Sequence, residues 1–140
     1  WSVVQAQDSK ALRGAGHVHA FAGANWDEVV WRMRVKLSTG QAHLNFHASN
    51  GQRYLISFGQ DWTQLIRDKP LAQASIPHRL EEWHVVEISL HQDVLRIAVD
   101  GVLEIEYAET DSLPPGGIWL EVLDKSVVLF DDVYVCEPPQ

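Results

Sequence analysis

Cysteine occurs once in this chain, at Cys136. A single thiol excludes an internal disulfide and a zinc site built from cysteines. Basic residues are few, 11 Lys and Arg against 19 Asp and Glu, and they form no run. With a net charge of -8 and no basic cluster, a polyanion-binding surface is excluded and no nucleic-acid partner is expected. No apolar stretch approaches the roughly 18–20 residues of a membrane-spanning helix. Gly-x-Ser-x-Gly, a Cys–His context and a glycine-rich phosphate loop are all missing, which removes the common signatures of nucleophilic catalysis and phosphate binding.

What the sequence does have is apolar material in a strict rhythm. Hydrophobic residues make up 46% of the 140, enough for one domain of the usual size of about 100–150 residues. Val29, Trp31, Met33, Val35 and Leu37 alternate with Arg32, Arg34 and Lys36. Ala42, Leu44, Phe46 and Ala48 alternate with Gln41, His43, Asn45 and His47. The same period of two recurs at Tyr54–Phe58, Val86–Leu90, Leu95–Val99, Leu103–Tyr107 and Ile118–Val122, before a β-branched run from Val127 to Val135. Period two marks half-buried strands. Turn signals separate them at Ser38-Thr39-Gly40, Ser49-Asn50-Gly51, Asp100-Gly101 and Pro114-Pro115-Gly116-Gly117. Ten or more short strands at this spacing predict an all-β, antiparallel, two-sheet fold. Leu71 to Glu82 lacks alternation and is expected to be a loop with at most a helical turn.

Parity also addresses one turn. A two-residue Asp100-Gly101 loop would set Ile97 opposite Glu104. Keeping Ile97 on the face of Leu103 or Ile105 predicts a three-residue loop, a type I turn plus bulge closed by a left-handed Gly101. At its ends the chain opens on Trp1 without a basic-then-apolar leader and closes on Cys136-Glu137-Pro138-Pro139-Gln140, where prolines cannot continue a ladder. The expectation is one β-sandwich domain over 1–136, a linker or tail over 137–140, and covalently linked neighbouring domains.

Four segments carry a family resemblance: Trp83-His84-Val85-Val86-Glu87-Ile88, Leu95-Arg96-Ile97-Ala98-Val99-Asp100-Gly101, Leu113-Pro114-Pro115-Gly116-Gly117-Ile118 and Val128-Leu129-Phe130-Asp131-Asp132-Val133. Together with Trp1-Ser2-Val3-Val4 and Leu12-Arg13-Gly14, their order resembles the concanavalin A-like jelly-roll superfamily, near the 3-keto-disaccharide hydrolase and family-16 glycoside hydrolase-related domains. The resemblance implies a jelly-roll sandwich that handles sugars on its concave sheet, and it speaks to fold more than to chemistry.

Several side chains are candidates for that chemistry. Glu104-Ile105-Glu106-Tyr107-Ala108-Glu109 resembles the family-16 signature, with Glu104 and Glu106 expected on one strand face about 6.8 Å apart. A retaining glycosidase needs two carboxyls about 5–5.5 Å apart. Glu121 is a third weak catalytic candidate, and the alternative for the Glu104 segment is a solvated outer strand face. Parity collects Arg32, Arg34, His43, Asn45 and His47 on the outer faces of neighbouring strands, with Trp119 and Glu121 outward on theirs. An exposed indole beside such donors and acceptors suits a saccharide: stacking on its apolar face, hydrogen bonds to its hydroxyls. The alternative is an ordinary polar sheet surface with cross-strand ion pairs. Trp31 and Trp83 are expected in the core, Trp62 at an edge or rim. His17 and His19 share a face, whereas His43 and His47 stand about 13 Å apart and cannot chelate one ion together. Asp131 resembles the Asp that binds a structural calcium on the last strand of family-16-like sandwiches, an ion that takes six to eight oxygens.

The leading expectation is therefore a non-catalytic carbohydrate-binding module of a larger extracellular or periplasmic protein. A glycoside hydrolase-like domain and a sugar-free interaction or spacer sandwich are the alternatives.

Overall fold

The computed structural model describes residues 1–6 and 9–138. Among them thirteen strands form: β1 (Ser2–Ala6), β2 (Ser9–Ala15), β3 (Val18–Trp26), β4 (Val29–Thr39), β5 (Ala42–Ser49), β6 (Gln52–Phe58), β7 (Thr63–Arg67), β8 (Lys69–Ala74), β9 (Trp83–His91), β10 (Val94–Val99), β11 (Val102–Ala108), β12 (Gly116–Val122) and β13 (Val127–Cys136). They pair antiparallel in two sheets, one ordered β1-β2-β13-β4-β9-β10-β11 and the other β3-β12-β5-β6-β7-β8. The expected two-sheet antiparallel sandwich is what the chain builds. No helix among the described residues is long and apolar enough to cross a membrane.

The alternating apolar residues make the core between the sheets. Trp31, Met33, Val35 and Leu37 of β4 meet Leu44 and Phe46 of β5 and Tyr54, Ile56 and Phe58 of β6, all essentially excluded from water. Burial of such side chains contributes about 1.5–3 kcal/mol each and is the main force holding the sheets face to face.

Consecutive strands do not always share a sheet. β4 lies in the seven-stranded sheet and β5 in the six-stranded one, so the chain crosses the sandwich at Ser38–Gln41. Gly40 makes the crossing possible: its φ is 79°, and Ser126 occupies the place where a Cβ would stand. The serine hydroxyl then accepts a hydrogen bond from the Gln41 amide at 3.1 Å.

Three local expectations are corrected. The loop at Asp100-Gly101 has two residues, since Val99 pairs Val102, and both turn residues have positive φ (52° and 80°), as a type I′ turn requires. Parity is restored further along, by a bulge in β11: Ala98 pairs Leu103 but Ile97 pairs Ile105, leaving Glu104 as the extra residue. Leu103 is consequently exposed while Ile105 is buried. Second, the first part of the supposed loop from Leu71 is strand β8, which pairs β7 across a bulge. Third, Trp83 lies on the outer face beneath Arg34, whose guanidinium carbon sits 4.7 Å from the ring centre. Trp31 is in the core as expected.

The β11 bulge turns Glu104 inward, where its side chain is only 2% exposed. His78, from the segment between β8 and β9, meets it at 2.9 Å, and Thr63 donates to its other oxygen at 2.6 Å. The second ring nitrogen of His78 faces the carbonyl oxygen of Gly59 at 2.6 Å. Burial disfavours the imidazolium, but hydrogen bonding to Glu104 and Gly59 and attraction to Glu104 outweigh it, so the pKa of His78 is raised. This pair ties the β8–β9 connection to the edge of the opposite sheet. Removing one partner of a buried ion pair costs about 3–5 kcal/mol, so Glu104→Ala is expected to lower unfolding free energy by that order in urea titrations. Because the histidine pKa is raised on folding, the pair's contribution is full below the ordinary histidine value of about 6.5. It fades as pH rises through the higher folded value. The stability gap between wild type and Glu104→Gln should therefore narrow with rising pH; a gap that widens would contradict the pairing.

Candidate functional site on the six-stranded sheet

The outer face of the six-stranded sheet is assembled by β12, which runs between β3 and β5. Residues directly opposite across a ladder share a face, so the register arranges the side chains in two rows. One row reads His19, Glu121, His43, Ser57, Gln64, Gln73 and is polar throughout. The adjoining row reads Phe21, Trp119, Asn45, Leu55, Ile66, Pro70 and is mostly apolar. A polar ledge beside an apolar one matches the two-sided character of a sugar ring.

Glu121 is the hub of the polar row. It is 8% exposed, and one carboxylate oxygen lies 3.3 Å from His43 Nδ1 and 3.8 Å from Arg53 Nη1, the other 3.7 Å from His17 Nε2. Arg53 also covers Trp119, its guanidinium carbon 4.7 Å from the ring centre, and His19 packs edge-on against the same indole at 5.5 Å. Burial pushes the His43 pKa down, and Arg53 adds to that; Glu121 opposes without reversing it. Burial thus favours the neutral imidazole at His43. A carboxylate only accepts, so its proton resides on Nδ1 and Nε2 presents a lone pair.

Beneath the ledge two polar atoms lack partners. Asn45 is fully buried; its Nδ2 donates to the Trp119 carbonyl at 3.2 Å, but its Oδ1 has no hydrogen-bond partner, and neither does the indole Nε1 of Trp119. Buried groups of this kind normally find partners. Beside them a groove of about 590 Å3 opens between β3 and the β5–β6 hairpin tip.

The structure thus brings together His43, Asn45, Trp119 and Glu121 of the expected set, but not Arg32, Arg34 or His47. Arg32 and Arg34 are on β4, in the other sheet, because the Gly40 crossing separates β4 from β5. Arg32 stands opposite Glu87 in the ladder, and Arg34 lies 3.6 Å from Asp132. His47 is turned inward by a bulge between Phe46 and Ser49, where its own φ is 50°. It is buried with its ring nitrogens 3.1 and 2.6 Å from the carbonyl oxygens of Leu113 and Asp27. Ala48 consequently faces the groove instead of the core. Arg53, Phe21 and His17 join the face without having been read as ligand-binding residues. The alternation of Tyr54, Ile56 and Phe58 is the signal that points to Arg53 as outward-facing, and its partners Glu121 and Trp119 set its position.

The three candidate carboxylates occupy three different surfaces. Glu104 is between the sheets, Glu106 is on the outer face of the seven-stranded sheet with Arg96 at 2.9 Å, and Glu121 is on the outer face of the six-stranded sheet. The bulge is why Glu104 and Glu106 do not share a face. None of the three makes an acid–nucleophile pair with another. Asp131 accepts hydrogen bonds from Ser9 and from the backbone amide of Asp132 and has Arg34 at 3.9 Å. Two hydrogen-bond donors and a cation thus surround this carboxylate. Among the described residues no group of three or more His, Cys, Asp or Glu is placed to hold a metal ion.

No family model and no curated protein sequence matches the chain. Solved structures do. The chain is similar to the carbohydrate binding module CBM66 from Bacillus subtilis, at 16% identity and a TM-score of 0.74, covering 96% of this chain and 90% of that one. A putative glycosyl hydrolase from Parabacteroides distasonis aligns at 11% identity, TM-score 0.76, over 91% and 87%. The β-glucanase of Bacillus licheniformis aligns at 8% identity, TM-score 0.74, over 98% and 82%. At these identities the shared property is the concanavalin A-like jelly-roll fold.

The Glu121 hub makes a prediction for His43. Its titration, followed by NMR of the imidazole carbons, should have a midpoint below the ordinary value of about 6.5. Glu121→Gln should lower it further, because the carboxylate is what opposes the effect of burial. An upward move on that substitution would disprove the arrangement.

Proposed function

We propose that the chain is a non-catalytic carbohydrate-binding module that holds a saccharide on the concave six-stranded sheet, as one domain of a larger protein working outside the cytoplasm. The observation that carries this reading is the pair of rows: an indole and its apolar neighbours beside a line of hydrogen-bonding groups, with Asn45 Oδ1 and Trp119 Nε1 unpaired beneath. Neutral His43 offers an acceptor at Nε2, and Arg53 offers donors beside Trp119. Groups held in place by partners on other strands lose little freedom on binding, which favours affinity. The named carbohydrate proteins that share the fold support the same reading, and the separation of Glu104, Glu106 and Glu121 supports binding over hydrolysis.

Native affinity electrophoresis through gels containing a panel of polysaccharides tests the proposal. Retardation by at least one glycan is expected, and Trp119→Ala should weaken it about tenfold or more, a loss of at least 1.4 kcal/mol. Parallel gels with calcium and with chelator test Asp131 as a calcium ligand: retardation lost under chelator would support the ion, and equal retardation would count against its having a part in binding. Free migration through every gel would overturn the carbohydrate reading in favour of an interaction or spacer domain.

A further inference from the structure

Phe21 is 60% exposed, although it is a large apolar side chain on a sheet face. Its position is held from below. A Cβ on Gly117 would stand 2.9 and 3.0 Å from the Phe21 Cζ and Cε2 atoms, and one on Gly23 would stand 3.1 Å from Cε1. The far edge of the ring therefore occupies the space that two missing side chains leave, while most of the side chain remains exposed. In register it is directly opposite Trp119 on the neighbouring strand, so the two aromatic side chains share one face of the sheet.

Phe21 and Trp119 floor one side of the 590 Å3 groove, while Asn50, Gln52 and Arg53 of the hairpin tip line the other. Arg53, the one lysine or arginine among the lining residues, has its charge already paired with Glu121 and lies over Trp119, although N–H donors remain on it. Hence the groove offers aromatic surface and neutral hydrogen-bonding groups, with no spare strong cation for an acidic sugar.

We propose that Phe21 is a second stacking platform and that the groove takes a neutral oligosaccharide of two or more units, one at Trp119 and the next across Phe21. This rests on the carbohydrate-binding reading above and adds to it the length and charge class of the ligand.

Isothermal titration of the folded domain with gluco-, xylo-, manno-, galacto- and fructo-oligosaccharides of one, two and four units tests it. For the series that binds, wild type should hold the tetrasaccharide about tenfold tighter than the monosaccharide. Phe21→Ala and Phe21→Leu should cut that ratio to about twofold while leaving monosaccharide affinity unchanged, and Phe21→Tyr should preserve it. Because the side chain is exposed, these variants should melt within a few degrees of wild type, checked by circular dichroism. Equal wild-type affinity for one and four units, or an undiminished ratio in Phe21→Ala, overturns the second platform while leaving the Trp119 site standing. Binding of charged uronic-acid oligosaccharides in preference to neutral ones overturns the charge class. Absence of wild-type binding to every series overturns the carbohydrate reading and this proposal with it.

Discussion

A carboxylate held nearly out of water organises the outer face of the six-stranded sheet. Burying a charge is costly unless it is paired and hydrogen-bonded, and Glu121 meets that demand with His17, His43 and Arg53. These come from the entry to β3, from β5 and from β6, so one carboxylate draws together positions far apart in the chain. Everything else on the face follows. Arg53, once drawn to Glu121, lies over Trp119; His43, once desolvated, becomes a neutral acceptor; and β12 must run between β3 and β5 for any of these contacts to form.

Much of the fold was legible before any coordinates, because the period of two is a direct consequence of the pleat. β4, β6, β9 and β12 bury the residues their alternation nominates. What parity could not supply was which strands lie side by side. Arg32 and Arg34 were grouped with His43 because β4 precedes β5, and only the contact between Gly40 and Ser126 shows that the chain changes sheets there. The bulges were equally hidden. His47 and Glu104 both turn inward where alternation points them out, and each ends with acceptors or donors that lie far away in sequence. Asn45 and Trp119 were correctly placed because β5 up to Phe46 and the second half of β12 carry no irregularity. Phe21 escaped notice for the opposite reason: Ala20, Ala22, Gly23 and Ala24 give β3 too little apolar contrast to register as an amphipathic strand.

The separation of the acidic candidates also bears on how such a sandwich divides its labour. The buried pair of Glu104 and His78 closes the side of the sandwich, the exposed pair of Glu106 and Arg96 sits on the seven-stranded sheet, and Glu121 organises the outer face of the six-stranded one. Three carboxylates with similar sequence surroundings thus end in three different settings, and the difference lies in the sheet and face to which each is assigned.

The placement of β1 and β13 has a mechanical consequence. Both are antiparallel to β2, which lies between them, so β1 and β13 run in the same direction. A force applied at Ser2 and Cys136 pulls these strands along their own axes toward opposite ends of the sheet. Ladder hydrogen bonds lie across that direction, and in this geometry they bear the load together instead of opening one after another. Tethered by its two ends, the sandwich would resist stretching as a shear-loaded clamp.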